Sequence, residues 1–329
     1  MRILFNADVL QDSPSWPYLD RILTRIADGA HDWEMPDVDV EVLAVSPWAQ
    51  AFKDYEREVF EKAAKDASYP YQGIFRRKLE VCAQPQQGVN SDQLMPKQAA
   101  SFVQQALAVI MENQFTDGRL LDIALEFLAP AQLWQLHQDK DCRLIDYVGV
   151  GGVGDINKTV KARITRASES NLPLRLIVFT DSDGHSPGDM HGNAWDVCAA
   201  SRVSGVPCCI LGKRAIENYI PDEVFTAHIA LRENRVHYEK INVLLNMSTQ
   251  QRDFFAIKSG FGQKKPVRHH DDLYSSMSPE DQLLWKSGLG DELIDWLKIH
   301  KAALSPKALT DRDQDGDLLC IISLILDAS

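Results

Sequence analysis

Hydrophobic and polar positions change their period along this chain, and the changes mark out its elements. RILFNADVL (Arg2–Leu10) reads as a strand, and in SPSWPYLDRILTRIADGAHDW the residues Leu19, Ile22, Leu23 and Ile26 fall on one face of a helix. VDVEVLAVS (Val38–Ser46) alternates as a strand does. PWAQAFKDYEREVFEKAAKD opens with Pro47 near its first turn and reads as a charged helix. RRKLEVCAQ is a further strand, PQQGVNSDQ a polar loop, and PKQAASFVQQALAVIMENQ (Pro96–Gln114) a single helix.

From Gly118 onward the pattern becomes regular. GRLLDIALEF reads as a strand ending near Glu126, APAQLWQLHQ as a short helix, and CRLIDYVGVGG as a strand entering a glycine-rich turn. GDINKTVKARITRASES is a helix, and LRLIVFTDSD a strand that closes on two aspartates. NAWDVCAASRVSG is a helix ended by a glycine, and PCCILGKRAIENYI a strand leading into a loop. Alternation of this kind predicts an α/β protein with a mostly parallel sheet flanked by helices. The chain then divides into an N-terminal α/β accessory region (1–115), a core (116–225) and a mostly helical C-terminal region (226–329) whose closing segment LLCIISLILDA docks on the core. In such sheets functional groups collect beyond the carboxyl ends of the strands. Glu126, Gly149–Gly154, Asp181, Asp183 and Lys213–Asn218 are all expected there.

Composition changes this picture little. The 329 residues are 45% hydrophobic and 25% charged, as in a globular protein. No apolar run reaches the ~18–20 residues of a membrane span, and the first residues lack a signal-peptide layout, so a cytoplasmic location and no membrane partner are expected. The six cysteines form no CxxC and are expected to be reduced and buried, with Cys208 and Cys209 on opposite faces of a strand. The net charge of −12 argues against a general nucleic-acid coat, but not against an enzyme that holds phosphates through bound metal and a local basic patch.

Candidate chemistry centres on TDSDG. Two carboxylates side by side raise the cost of ionising each other, and a divalent cation would cancel that cost. With Glu126 at a neighbouring strand end, Asp181 and Asp183 would form a hard, oxygen-rich site suited to Mg²⁺ or Mn²⁺. In LGKRAIENYIP, Glu217 could complete a second metal site and Lys213 or Arg214 could hold a phosphate. His185 and His191 stand in the loop after the aspartates, and KKPVRHHDD (Lys264–Asp272) is a basic patch able to touch a nucleic-acid backbone. DRDQDGD (Asp311–Asp317) has calcium-loop spacing, but its twelfth position is Ile322, so it reads as a solvated acidic loop. Asp8 reads as a turn acid at a strand end.

A strand-end glutamate, a strand ending in a glycine-rich turn, DxDG after a strand, and RAIENYI occur in this order, and together they resemble the Toprim fold. That domain is a metal-dependent phosphoryl-transfer unit shared by topoisomerases, primases and OLD-type nucleases. RAIENYI is closest to the OLD-like proteins that act as nuclease effectors in bacterial anti-phage systems. The resemblance covers roughly residues 118–225. It implies a Mg²⁺- or Mn²⁺-dependent endonuclease acting on DNA, RNA or tRNA, with Glu126, Asp181, Asp183 and Glu217 as metal ligands and Lys213 and Arg214 on the substrate phosphate. No Walker-type GxxxxGK[ST] is present, so an ATPase of the kind OLD proteins carry would be a separate partner chain. The N-terminal region would serve partner docking or formation of a homo-oligomer.

Other readings stay open at this point. GVGGVGD has GxGxxG spacing after a strand and before a helix, the layout of a dinucleotide-binding oxidoreductase. A DxD-type glycosyl or phosphoryl transferase, or a non-catalytic partner protein with a degenerate Toprim domain, would share parts of the pattern.

Overall fold

A computed structural model describes residues 1–35, 43–68, 73–85, 92–140, 143–189, 192–231, 237–262 and 270–329. Among the described residues eight strands form two sheets, each four-stranded and parallel throughout. The first has the order β2-β1-β3-β4, with β1 Arg2–Phe5, β2 Asp32–Trp33, β3 Lys78–Val81 and β4 Gln93–Leu94. The second has the order β6-β5-β7-β8, with β5 Leu107–Met111, β6 Ile145–Gly149, β7 Leu176–Thr180 and β8 Cys208–Ile210. The fold class is therefore α/β. Among the described residues no helix is long and apolar enough to cross a membrane.

The first sheet buries Ile3, Phe5, Leu79 and Val81 against the helices Trp16–Ala27 and Asp54–Ala67. The predicted face of Trp16–Ala27 is the buried one: Leu19, Ile22, Leu23 and Ile26 all enter the core. The expected charged helix from Pro47 is two pieces, Pro47–Gln50 and Asp54–Ala67. Much of the expected strand Val38–Ser46 lies outside the described residues. Asp8 accepts hydrogen bonds from the backbone N–H groups of Val9 (2.8 Å) and Ala83 (3.0 Å), a structural tie between β1 and β3.

The second sheet is covered on both faces, which is why its inner strands are continuously apolar. Alternate residues of β5 and β7 enter different cores. Leu107, Val109, Met111, Ile177 and Phe179 pack under the helix Asp117–Leu128 and the C-terminal helices. Ala108, Ile110, Leu176 and Val178 pack under the helices Val153–Ser170 and Asn193–Val203. The closing helix Asp317–Ala328 docks on the first of these faces through Leu318, Ile321, Ile322 and Ile325.

Three sequence expectations are corrected here. The single helix expected over Pro96–Gln114 ends at Phe102, and its second half is β5, the central strand. LAVIM is buried at every position, and a fully buried strand has no alternation to separate it from a buried helix. The strand expected over Gly118–Phe127 is the helix Asp117–Leu128, with Leu120, Leu121, Ile123, Ala124 and Leu125 buried at helical spacing. The second sheet consequently begins at Leu107, inside the stretch assigned from sequence to the N-terminal region. A third correction concerns the cysteines. Cys198 and Cys208 are joined by a disulfide that ties the helix Asn193–Val203 to β8, while Cys82 and Cys209 are free and buried and Cys320 is free and exposed.

Candidate metal and phosphate site

The chain passes from β5 outward to β6, then crosses over β5 to reach β7 on its other side. The sheet order therefore reverses between β5 and β7, and a crevice opens beyond their carboxyl ends. Register brings Met111 beside Gly149 and Thr180 beside Ile210, so the four strand ends emerge along one edge. The residues after β5 and β7 are Glu112 and Asp181. A cavity of about 310 Å³ occupies the crevice, lined by Glu112, Asp117, Asp181, Asp183 and Glu217 together with Arg214 and Lys258.

Each acid is placed by a distinct local device. Asp117 opens the helix that follows β5. Its carboxylate accepts the Asn113 N–H (2.9 Å) and the Thr116 hydroxyl (3.0 Å), while its own N–H donates to the Asn113 carbonyl (2.9 Å). Asp183 adopts a left-handed conformation with φ 54°, which Asp tolerates better than most residues. Its N–H donates to the Arg214 carbonyl (3.0 Å), and the Ser182 hydroxyl donates to the Lys213 carbonyl (2.7 Å). The aspartate turn and the loop after β8 are thus tied together, and both aspartates reach the cavity although the strand itself stops at Thr180.

Glu217 sits in a 3₁₀ turn, Ile216–Tyr219, clamped by its neighbours. Asn218 accepts the Ala215 N–H (3.0 Å) and donates to the carbonyls of Arg252 (2.7 Å) and Phe255 (2.9 Å). This holds the segment Phe255–Ser259 against the crevice, and that segment brings Lys258 to the cavity wall. Tyr219 donates its hydroxyl to Asp317 and accepts the Lys213 N–H (3.1 Å).

The carboxylates oppose one another. Burial raises the Asp181 pKa well above the usual carboxylate range, and the charges of Asp117, Glu217, Asp183 and Glu112 raise it further. Burial also raises Glu112, aided by Asp183 and Asp117, and it raises Asp117 and Glu217. Among the described residues, Asp181 Oδ1 is buried with no hydrogen-bond partner. Among the described residues no three or more His, Cys, Asp or Glu side chains already converge closely enough to hold a metal ion. Neighbouring carboxylates raise the cost of ionising one another, a cost that a divalent cation would offset. The donor set, carboxylate oxygens with one buried oxygen unpaired, fits a hard divalent ion.

On the cationic side, Arg214 donates to His185 Nδ1 (2.8 Å), so that ring nitrogen is the acceptor. Lys258 pairs with the exposed Asp291 (2.8 Å) and is half exposed. His191 and Lys264–His269 of the basic patch lie outside the described residues.

Of the residues singled out from sequence, Asp181, Asp183, Arg214 and Glu217 come together in this cavity, and Glu126 and Lys213 do not line it. Glu126 is in the last turns of the helix Asp117–Leu128 and pairs with Lys301 at 2.6 Å. Lys213 is 2% exposed, pairs with Asp253 at 2.8 Å, and Asp253 also pairs with Arg312 at 2.6 Å. The acidic loop Asp311–Asp317 is only partly solvated. Arg312 and Asp313 are buried, and Asp313 caps the closing helix by accepting the N–H groups of Asp317 (3.0 Å) and Leu318 (2.8 Å). Glu112, Asp117 and Lys258 were missed. For the first two the local pattern was an apolar run closing on Glu112, then Asn113 and Asp117 around a turn, but that run also reads as a continuation of the helix before it. Lys258 carries no sequence signal, because the loop that bears it is placed by Asn218.

The glycine-rich turn has a different use from the one its spacing suggests. The N–H groups of Val150 and Gly151, which would face a pyrophosphate, donate instead to the backbone carbonyls of Met111 and Glu112 (2.9–3.2 Å). β6 is also an edge strand, separated from β7 by β5, so Asp181 does not end the neighbouring strand as a ribose-binding acid would. Gly149 is needed for close approach, since a Cβ there would lie 2.8 Å from the Gln114 backbone nitrogen. Gly149→Ala should cost about 1–3 kcal/mol by pushing out the turn 113–116, a loss readable by denaturant unfolding.

Compared with known proteins, the chain matches no family model, no curated protein and no solved structure.

Proposed function

We propose that this chain is a divalent-cation-dependent nuclease of Toprim-like type, hydrolysing phosphodiester bonds in the crevice between β5 and β7. One observation carries the reading: five carboxylates from three separate segments line one cavity at the switch point of a parallel sheet, and Asp181 Oδ1 is buried there unpaired. Glu112 takes the place of the strand-end glutamate that the sequence resemblance requires, and Glu126 is set aside. Asp181, Asp183 and Glu112 would hold Mg²⁺ or Mn²⁺, with Asp117 and Glu217 able to serve a second ion. When bound, such an ion supplies charge neutralisation at the phosphoryl oxygens and lowers the pKa of bound water.

The remaining roles belong to the chain's own side chains. Arg214 presents a planar fork of donors suited to two phosphate oxygens, and Lys258, also on the cavity lining, adds a point charge. Lys213 orients Arg214 from behind, through its pair with Asp253, instead of touching substrate. DNA, RNA and tRNA remain the substrate classes. A role as an anti-phage effector paired with a separate ATPase chain follows from the RAIENYI resemblance alone.

The test combines Mn²⁺ and Mg²⁺ titration calorimetry with cleavage of plasmid DNA and total tRNA, for the wild type and the double variant Asp181→Ala/Asp183→Ala. Metal binding and cleavage in the wild type, with both lost in the variant by a factor of about 10² or more, are the expected result. Metal-independent cleavage, or metal binding that survives the double substitution, would refute the proposal.

A further inference from the structure

Phe115 plays no part in the site as built so far. It stands in sequence between Glu112 and Asp117, and its side chain is 72% exposed. Apolar residues scattered singly on a surface are ordinary, so exposure alone assigns nothing. The way Phe115 is held is what separates it. The Asn113 side-chain carbonyl accepts the N–H of Phe115 (2.9 Å) and that of Thr116 (3.4 Å). Asn113 and Asp117 exchange two further hydrogen bonds, each 2.9 Å. Behind the turn, the Gln114 backbone rests on Gly149 with no room for even one added methyl. The turn is therefore braced against β6 on that side. Asn113 and Thr116, on either side of it in sequence, both line the acidic cavity while Phe115 does not, so its backbone adjoins the cavity wall and its ring lies outside the cavity.

An exposed ring on a braced turn next to the proposed phosphodiester site matches the chemistry of a nucleobase. Every base has a π-face, and stacking on an aromatic side chain is tolerant of sequence. A base inside a duplex has both faces covered by its neighbours, so a lone exposed ring can take only a base that is already unstacked.

We propose that Phe115 is a stacking platform for the base next to the scissile phosphate, which makes the preferred substrate a nucleic acid single-stranded at that position. The proposal rests on the phosphodiesterase reading above. The chemistry is shared by DNA and RNA strands.

The test measures affinity for labelled single-stranded DNA, single-stranded RNA and duplex DNA, with Ca²⁺ replacing Mg²⁺ to suppress cleavage. Wild type, Phe115→Ala and Phe115→Trp are compared, and Mn²⁺ binding is titrated in each. Phe115→Ala should weaken single-strand binding about 5- to 150-fold, and Phe115→Trp should retain it. Duplex binding and Mn²⁺ affinity should not move, and the DNA and RNA arms identify which strand is preferred. Equal single-strand affinity in wild type and Phe115→Ala overturns the proposal, as does an equal loss on duplex. Mn²⁺ binding without any oligonucleotide binding also overturns it, while leaving the metal centre in place. Phe115-dependent single-strand binding in a protein that binds no Mn²⁺ would support the platform and refute the metal reading, so the two failures are distinguishable.

Discussion

Asp181→Asn is expected to stabilise the metal-free protein while removing its response to magnesium. The wild-type carboxylate is pushed up by burial and by four neighbouring acids, and one of its oxygens has no partner. Neutralising it removes repulsion and desolvation worth about 1–3 kcal/mol, or about 1–2 °C in melting temperature for each kcal/mol in a chain of this length. The sign with pH follows from linkage. A carboxyl group whose folded pKa lies above its unfolded value stabilises the fold at low pH, and that stability is lost as pH rises through the folded pKa. Asp181, Glu112, Asp117 and Glu217 all shift this way. In chelator, the advantage of Asp181→Asn over wild type should therefore grow as pH rises from about 4 toward 8. His228, pushed down to about 4 by burial and by His237 and His300, works in the opposite direction, but it is common to both proteins and cancels in the comparison. Saturating Mg²⁺ should reverse the order. An ion at a hundred times its Kd adds about 2.7 kcal/mol to the wild type and little to the variant. Melting curves at several pH values, with Mg²⁺ and with chelator, check both halves. A variant less stable than wild type in chelator would contradict the electrostatic account.

Asp253→Asn is expected to be the most destabilising single change near the site. Asp253 Oδ1 serves both Lys213 and Arg312, which are 2% and 8% exposed. Removing the shared anion leaves two buried cations unpaired, a class of change that costs about 3–5 kcal/mol. Lys213→Met should cost less, because Asp253 keeps Arg312 as a partner. Arg214→Ala, one residue further on, should leave unfolding within about 1 kcal/mol of wild type and act on substrate binding. Urea unfolding of the three variants, set beside KM and kcat for the proposed phosphodiesterase activity, tests whether one residue of the dipeptide is a buried brace and the other a phosphate contact. Equal stability losses for Lys213→Met and Arg214→Ala would remove that distinction.

Legibility of the site tracked how local its signals were. Asp181 and Asp183 could be found because a strongly apolar strand runs directly into TDSDG, so one short stretch contains both the element and its chemistry. Glu217 and Arg214 followed from a loop that likewise belongs to its own strand. Glu112 was hidden because LAVIM, buried on both faces, continued the apolar pattern of the helix before it. That one misplaced element moved the expected glutamate to Glu126, which pairs with Lys301 instead. Gly149 was visible as a glycine that mattered, yet its partner, the Gln114 backbone, lies on another segment and has no sequence signature.

By itself, the sequence determined what local periodicity and residue chemistry can determine: an α/β chain, most of its helices and strands after residue 140, and two aspartates at a strand end. Tertiary structure alone decided which acids share a cavity, because that depends on the crossover placing β7 beside β5. It also turned neighbouring Lys213 and Arg214 to different tasks, since one faces the buried Asp253 and the other the crevice. Likewise it folded the acidic Asp311–Asp317 stretch into a buried cap and brace. In each case the deciding interaction joins residues far apart in the chain, and free energies of burial and pairing that depend on such contacts leave no trace in the local pattern of hydrophobic and polar positions.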